Sequence, residues 1–309
     1  MSDIILHHYA FSTFSEKVRI ALGLKGLADR SVDIPGLPPR PLLGALTGGY
    51  RRVPVLQIGA DIWCDTHIIL PALERLFPTP TFYPAGCEGI ARGLSFAWDR
   101  ELWIPTIGVL THFIGEHIPA DFIKDRKEGY LGIDISKAAM APELPLQRQR
   151  VTAQYAWLKQ ALADGRKFIF GNAPSALDLT CYQTIYLLRK NCPPEVDTML
   201  GIDGPLPAWY ERTGALGHGT PTAMSPEEAF SAASAAQPAA VTHLLPDGDP
   251  GGLRAGCSVT VTPDDNARVP VSGTLVGASD SEIIIHRRDA QAGDLHIHFP
   301  RLGFDVVAS

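Results

Sequence analysis

The sequence predicts three successive parts: a mixed α/β segment over residues 1–80, an all-α segment over 84–219, and a tail over 220–309 of small all-β character. Three observations predict them. An apolar run at Ile4-Ile5-Leu6 passes through a small polar turn (Ser12, Thr13) into a helical repeat. From Ile90 to Leu188 the apolar spacing is largely that of helices. After Ser258 it changes to alternation of period two, the mark of half-buried strands.

Within the first part the reading is β-α-β, then β-β-α. Phe14, Val18, Ala21 and Leu22 share one face of the first helix, which stops near Gly23–Gly26. Arg30–Ile34 reads as a second strand, followed by a proline-rich loop (Pro35, Pro38, Pro39, Pro41). Within Val53–Ile58 the strand begins on Pro54, and a proline belongs at the first residue or edge of a strand because it cannot donate to a central ladder. Gly59-Ala60-Asp61 turns the chain into Ile62-Trp63-Cys64, making a hairpin. Asp65-Thr66 then opens a helix whose apolar face is Ile69, Ala72, Leu73, Leu76 and Phe77, with Pro71 inside it.

In the second part, Ile90, Leu94, Ala97 and Trp98 are expected on one buried helix face, and Val151, Tyr155, Leu158 and Leu162 on another. Residues 119–145 read as helix and loop. Ser175-Ala-Leu-Asp178 is a capping box, in which the serine accepts from an amide three residues on and the aspartate reaches back. It heads the segment Leu179–Leu188, apolar on most sides and therefore central to a bundle. Pro207-Ala-Trp-Tyr210 begins one more helix. In the tail, Ser225-Pro-Glu-Glu228 caps an alanine-rich helix, and about five short strands then suit a small barrel or sandwich.

Composition excludes several functions. A net charge of −6 and a pI near 5.9 argue against a nucleic-acid partner, which calls for a basic face. The start of the chain lacks the regions of a signal peptide, and no apolar run reaches the ~18 residues of a membrane span. Five scattered cysteines, an odd number with no C-x-x-C spacing, fit free thiols in a reducing cytoplasm. No metal site is expected.

The chemistry points to the strand-to-helix corner at residues 4–24. The first N–H groups of a helix have no partner within it and favour an anion, and a thiolate is one. The hydroxyl of Ser12 or Ser15 stands at that end.

Val53-Pro54, Asp65-Thr66 and Gly171 with Ser175–Asp178, in that order over residues 1–218, resemble the glutathione transferases. Val53-Pro54 resembles the cis-proline step of their thioredoxin-like domain, Asp65-Thr66 the pair opening the helix after its last strand, and Ser175–Asp178 the cap of their central helix. The resemblance implies a thioredoxin-like domain, a helical domain and a homodimer. It also implies glutathione as co-substrate, its thiolate attacking a hydrophobic electrophile in a pocket formed by the helical domain. Val53 would pair its backbone with the cysteinyl part, Asp65 and Thr66 would hold the γ-glutamyl end, and Arg52 would face the glycyl carboxylate. Ser12 falls where tau- and zeta-like members carry their serine. Glutathione-dependent isomerisation, dehalogenation or ether cleavage is possible on the same frame, as is a binding protein without turnover. The tail lies outside the usual family pattern.

A thiol with pKa about 8.5 is only a few per cent thiolate at neutral pH, and lowering that value by two units takes about 2.7 kcal/mol. A helix N-terminus contributes up to ~1–2 kcal/mol and a hydrogen bond to the charge ~1.5–3 kcal/mol. Ser12 thus needs only to donate its proton in a hydrogen bond. Thr13 replaces the proline common in related turns. The same serine also reads as a simple helix cap, Tyr9 as a rival hydroxyl that more readily packs, and Cys64 as a buried thiol. Asp178 is structural. His7 and His8 alternate on a strand, and His286, His296 and His298 read as an exposed polar face before a metal site. Trp98, Trp103 and His112 either line the electrophile pocket or fill the bundle.

Overall fold

A computed structural model describes residues 3–244 and 249–309. It divides into two compact units. One comprises Met1–Val18, Ala28–Leu73 and Thr220–Ser309; the other comprises Arg19–Leu27 and Glu74–Gly219.

The first part of the chain runs β1 (Ile4–His8), α1 (Thr13–Leu24), β2 (Ala28–Asp33), α2 (Pro41–Thr47), β3 (Val55–Ile58), β4 (Asp61–Cys64) and α3 (Thr66–Leu76). β1 is buried along its whole length and pairs parallel with β2 and antiparallel with β3, which pairs antiparallel with β4. This is the expected βαβ-ββα order with one addition. Helix α2 falls where the sequence reads as loop. It is too short to show a period, but it has a proline at its start and Gly48 in left-handed conformation at its end (φ 67°), the usual asymmetry of helix termini. A side chain at Gly48 would also collide with Arg287 and Val271, 2.7 Å from the position of its Cβ.

The helical unit contains α4 (Glu88–Ile114), α5 (Ala120–Asp125), α6 (Lys137–Met140), α7 (Leu144–Ala161), α8 (Ala176–Asn191), α9 (Glu195–Leu200) and α10 (Leu206–Gly214). Helix α8 is buried on nearly all sides, and its capping box is present as expected, with Ser175 Oγ accepting from the Asp178 N–H. The Asp178 carboxylate accepts from the Ile169 and Ser175 amides and from Trp209 Nε1. Val151, Tyr155, Leu158 and Leu162 are buried. The α4 face is different. Ile90 and Leu94 are 63% and 50% exposed, while Ala91, Ser95, Trp98, Asp99 and Leu102 face inward. The buried stripe is one residue out of phase with the apolar spacing, because Ser95 and Asp99 are inside; Asp99 accepts from Gln183 at 2.5 Å.

The tail forms β5 (Thr220–Ala223), α11 (Pro226–Ser234), β6 (Ser258–Pro263), β7 (Val271–Ala278), β8 (Glu282–Asp289), β9 (Gly293–Pro300) and β10 (Phe304–Ala308). The five strands expected after Ser258 are all present, but they neither close as a barrel nor stack as a separate sandwich. They continue the first sheet, giving ten strands in the order β10-β6-β7-β8-β9-β4-β3-β1-β2-β5. The junction is a parallel pairing of β4 with β9, Asp61↔His296 to Trp63↔His298. A strand edge left open carries unpaired N–H and C=O groups, and β9 supplies their partners along β4. β5 does the same for β2 at the other end. The core is shared accordingly. Leu43, Leu46 and Tyr50 around α2, and Ala229 and Ala233 of α11, are buried with Val261, Ile283, Ile285, Leu295, Ile297 and Phe299 of the tail. Tyr50 meets the rings of Phe299 and Phe304 at 5.9 and 6.2 Å.

Candidate functional site

Strand register gathers the candidate residues at one end of the sheet. His7 pairs with Val55, and Val55 with Cys64, so the chain leaving that row is 9–12 after β1, 53–54 before β3 and 65–66 after β4. Neighbouring strands lie about 4.8 Å apart. Three segments distant in sequence therefore meet at the heads of α1 and α3.

At the head of α1, Ser12 is nearly buried, at 7% exposure. Its N–H donates to the Tyr9 carbonyl at 3.0 Å, and its own carbonyl accepts from the Glu16 N–H at 3.0 Å. Ser12 Oγ accepts from the Ser15 N–H at 3.2 Å. Ser12 is thus a helix cap, which stabilises by roughly 1 kcal/mol. Capping uses the hydroxyl as acceptor and leaves its proton to donate, so the cap and the thiolate-stabilising role are compatible. Ser15 is completely buried, and its hydroxyl has no partner among the described residues.

Lys17, one turn further on, was not singled out by the sequence reading. It is 1% exposed, and its Nζ donates to Thr66 Oγ1 at 3.1 Å while standing 5.4 Å from the Phe14 ring centroid. A lysine is almost never buried without a partner. The bond ties α1 to α3 and leaves the Thr66 hydroxyl its own proton. The available signal was the four-residue spacing of Lys17 from Thr13 at the helix head, too weak to stand alone.

Val53-Pro54 is a cis peptide, as expected. Val53 lies beyond the last β1–β3 register pair, so that pairing does not use its peptide groups. Asp65 has φ +97°, a left-handed conformation rare in non-glycine residues and concentrated at functional sites. Its carboxylate accepts from the His67 N–H at 2.9 Å, and its carbonyl from the Ile68 and Ile69 N–H groups at 3.2 and 3.0 Å. Asp65 thereby caps α3 and sets Thr66, 4% exposed, as its first residue.

Arg52 is engaged more heavily than its sequence position indicates. Its Nη2 donates to Asp265 Oδ1 and to the Asn266 carbonyl, both in the tail, and its Nη1 lies 3.8 Å from Asp65 Oδ2. Arg40, a second residue the sequence reading passed over, donates to the carbonyls of Pro35, Gly36 and Arg51 at 2.8, 2.9 and 3.0 Å. It braces the loop that leads into α2.

The glutathione S-transferase N-terminal domain model matches residues 6–81, and the glutathione S-transferase C-terminal domain model matches residues 133–212. A solved GST-like protein from Pseudomonas syringae is 34% identical over 100% of both chains, with a TM-score of 0.82. The chain belongs to the glutathione S-transferase family.

Because the P. syringae match spans both chains entirely, it includes the tail. A glutathione S-transferase of Ceriporiopsis subvermispora, solved in complex with glutathione, is 15% identical, covers 69% of this chain and 96% of its own, and gives a TM-score of 0.56. Glutathione S-transferase III, solved in apo form, is 16% identical, covers 69% and 92%, and gives 0.51. These two share the fold. No curated protein sequence matches.

Within this member of the family the rival candidates have structural partners. The Tyr9 ring packs 5.9 Å from the Arg40 guanidinium. Cys64 is fully buried, and burial, with the neighbouring Asp65 charge, pushes its thiol up and out of reach of ionisation. His7 pairs with Gln57 at 2.8 Å and His8 with Ser31 at 2.7 Å. Trp98 stacks on Tyr155 at 6.2 Å and so fills the bundle, Trp103 is half-buried, and His112 is exposed beside Phe113.

The tail histidines depart from the expected exposed face. His298 is 3% exposed, stacks on Trp63 at 4.5 Å and contacts two carboxylates, Glu282 Oε1 at 2.9 Å and Asp61 Oδ1 at 3.1 Å. The β4–β9 pairing puts it inside. Among the described residues no group of three or more His, Cys, Asp or Glu could hold a metal ion, and no helix is long and apolar enough to cross a membrane.

Proposed function

We propose that this protein binds glutathione at the sheet end formed by Ser12, Val53-Pro54 and Asp65-Thr66, and transfers its thiolate to a hydrophobic electrophile. The observation that carries the reading is the capped but still proton-bearing Ser12 hydroxyl at the mouth of α1, in one strand-end row with the other two segments. Ser12 donates to the thiolate sulfur and the α1 amides add the helix-end field. The Val53 backbone pairs with the cysteinyl unit as an added strand does. The Thr66 hydroxyl, held by Lys17, donates to the γ-glutamyl carboxylate, Asp65 fixes the head of α3, and Arg52 borders the glycyl end. In the reaction the sulfur lone pair forms the new S–C bond as the electrophile's leaving group, or a proton-accepting carbon, takes the displaced electron pair.

Homodimer formation belongs to the same reading. It is supported by Ile90 and Leu94, apolar and exposed one turn apart on α4. A cytoplasmic location is supported by five free cysteines.

The test is calorimetry with glutathione, followed by turnover with a chloronitrobenzene. Ser12→Ala should keep binding and lose about 10–100-fold in kcat, the ~1.5–3 kcal/mol of a charged hydrogen bond. Absence of binding at millimolar ligand contradicts the reading, and full-rate turnover by Ser12→Ala removes the serine from it.

A further inference from the structure

We propose that the turn at residues 264–266, between β6 and β7, is a specificity element of the thiol site, with Asp265 standing where a substrate carboxylate would otherwise pair with Arg52. The inference rests on the glutathione reading above. It adds a specificity property of the site: a charged far end gains nothing there, so a γ-glutamyl thiol whose far end is uncharged is accepted as readily as glutathione itself.

Arg52 directly precedes the cis Val53-Pro54 peptide. Its Nη2 is taken by the Asp265 carboxylate and the Asn266 carbonyl, its Nη1 faces Asp65 Oδ2 at 3.8 Å, and its guanidinium carbon stands 5.9 Å from the Phe304 ring of β10. The turn is braced independently of Arg52. The Asp264 N–H donates to the Gly303 carbonyl at 3.0 Å, Arg268 Nη1 to the Asp264 carbonyl at 2.6 Å, and Asn266 Nδ2 to Asp265 Oδ2 at 3.2 Å. Asp265 is therefore presented to Arg52 by a fixed backbone.

Two carboxylates around one guanidinium leave the trio with a net negative charge. A third carboxylate, arriving on a ligand, gains no net attraction there. It must also displace a group tethered at high effective concentration. The Arg52 and Asp265 side chains are 14% and 31% exposed, so solvent weakens the pair without dissolving it. A glycyl amide or ester has no such competition to overcome. The tail that completes the sheet thus also sets which thiol ligand suits the site.

The test measures dissociation constants of the full-length wild type, Asp265→Ala and Asp265→Asn for glutathione and its glycyl ethyl ester. The wild type should bind the two within about a factor of two. Both variants should bind glutathione about fivefold tighter, the size of a partly exposed ion pair, with ester affinity unchanged. Asp265→Asn keeps the shape of the turn and guards against loss of fold in the alanine variant. A wild type that prefers the free acid tenfold, or variants that change both affinities by the same factor or neither, overturn the inference alone. Failure of all three folded proteins to bind either ligand overturns the proposed function, and this inference with it.

Discussion

His298 Nε2, on the tail strand β9, lies 3.1 Å from Asp61 Oδ1, at the start of β4. Its other ring nitrogen meets Glu282 at 2.9 Å. Carboxylates only accept, so both ring nitrogens donate and the imidazole is a cation. Asp61 also accepts from the Ala239 N–H at 2.8 Å, and Glu282 is met by His243 at 2.7 Å. This buried group fastens the added strands to the thioredoxin-like hairpin.

Replacing His298 by Leu should destabilise the first unit by about 3–5 kcal/mol, because two buried carboxylates lose the cation between them. The check is a fall in the urea midpoint. Asp61→Asn together with Glu282→Gln in the His298→Leu background should recover part of it, since the unpaired charges are then gone.

Stability should fall on acidification through His7. Burial lowers its pKa to about 4, against the opposing hydrogen bond from Gln57. The unfolded chain therefore takes up a proton near pH ~6.5, which the folded state refuses until about pH 4. That stability is present above pH ~6.5 and lost by about pH 4, to the extent of ~3 kcal/mol. Burial opposes charge on His298 too, but the hydrogen bonds and charges of Asp61 and Glu282 outweigh it and raise its pKa. Its contribution is present below the unfolded value and lost only as pH rises through the higher folded one. Asp61 is buried, yet the nearby His296 ring and the hydrogen bonds from His298 and Ala239 hold it below the carboxylate range, so its share is lost only in stronger acid. His7→Gln should flatten the melting temperature between pH 6.5 and 4, and an unchanged slope would remove His7 as its source.

Lys17→Met should raise KM for glutathione roughly tenfold and change kcat less, because in the proposed function Thr66, which Lys17 holds, meets the γ-glutamyl end and not the sulfur. Steady-state kinetics separates the two. An equal loss in kcat with KM unchanged would move Lys17 to the thiolate side of the mechanism.

Truncation after Gly219 should yield an aggregating product. It uncovers the β4 edge and the apolar side chains around α2 that the tail strands bury. Size-exclusion chromatography reads this directly, and a stable truncated form would show that the thioredoxin-like part completes its core without the tail.

Much of this architecture was legible in the sequence because its signals are local. The Ile4–Leu24 strand-to-helix corner, the Ser175–Asp178 capping box and the alternation after Ser258 each specify an element within a few residues. Asp65-Thr66 was legible as a helix opening for the same reason. What stayed hidden depends on pairing at long sequence distance. Nothing around Asp61–Cys64 announces that residues 296–298 will lie beside it, so the sheet junction, the burial of His298 and the capture of Arg52 by Asp265 were out of reach. Lys17 shows the same limit, since its meaning depends on Thr66, 49 residues on. On α4 the apolar spacing misled: Ile90 and Leu94 are exposed, while Ser95 and Asp99 are inside.

The most direct measurement is an ultraviolet pH titration of the bound glutathione thiolate in the wild type and in Ser12→Ala. The wild type should show a thiol pKa about two units below the free value of ~8.5, and the variant should lose at least half of that shift. A bound thiol titrating at its free value in the wild type, or identically in both proteins, would contradict the role given to the Ser12 hydroxyl and the mouth of α1.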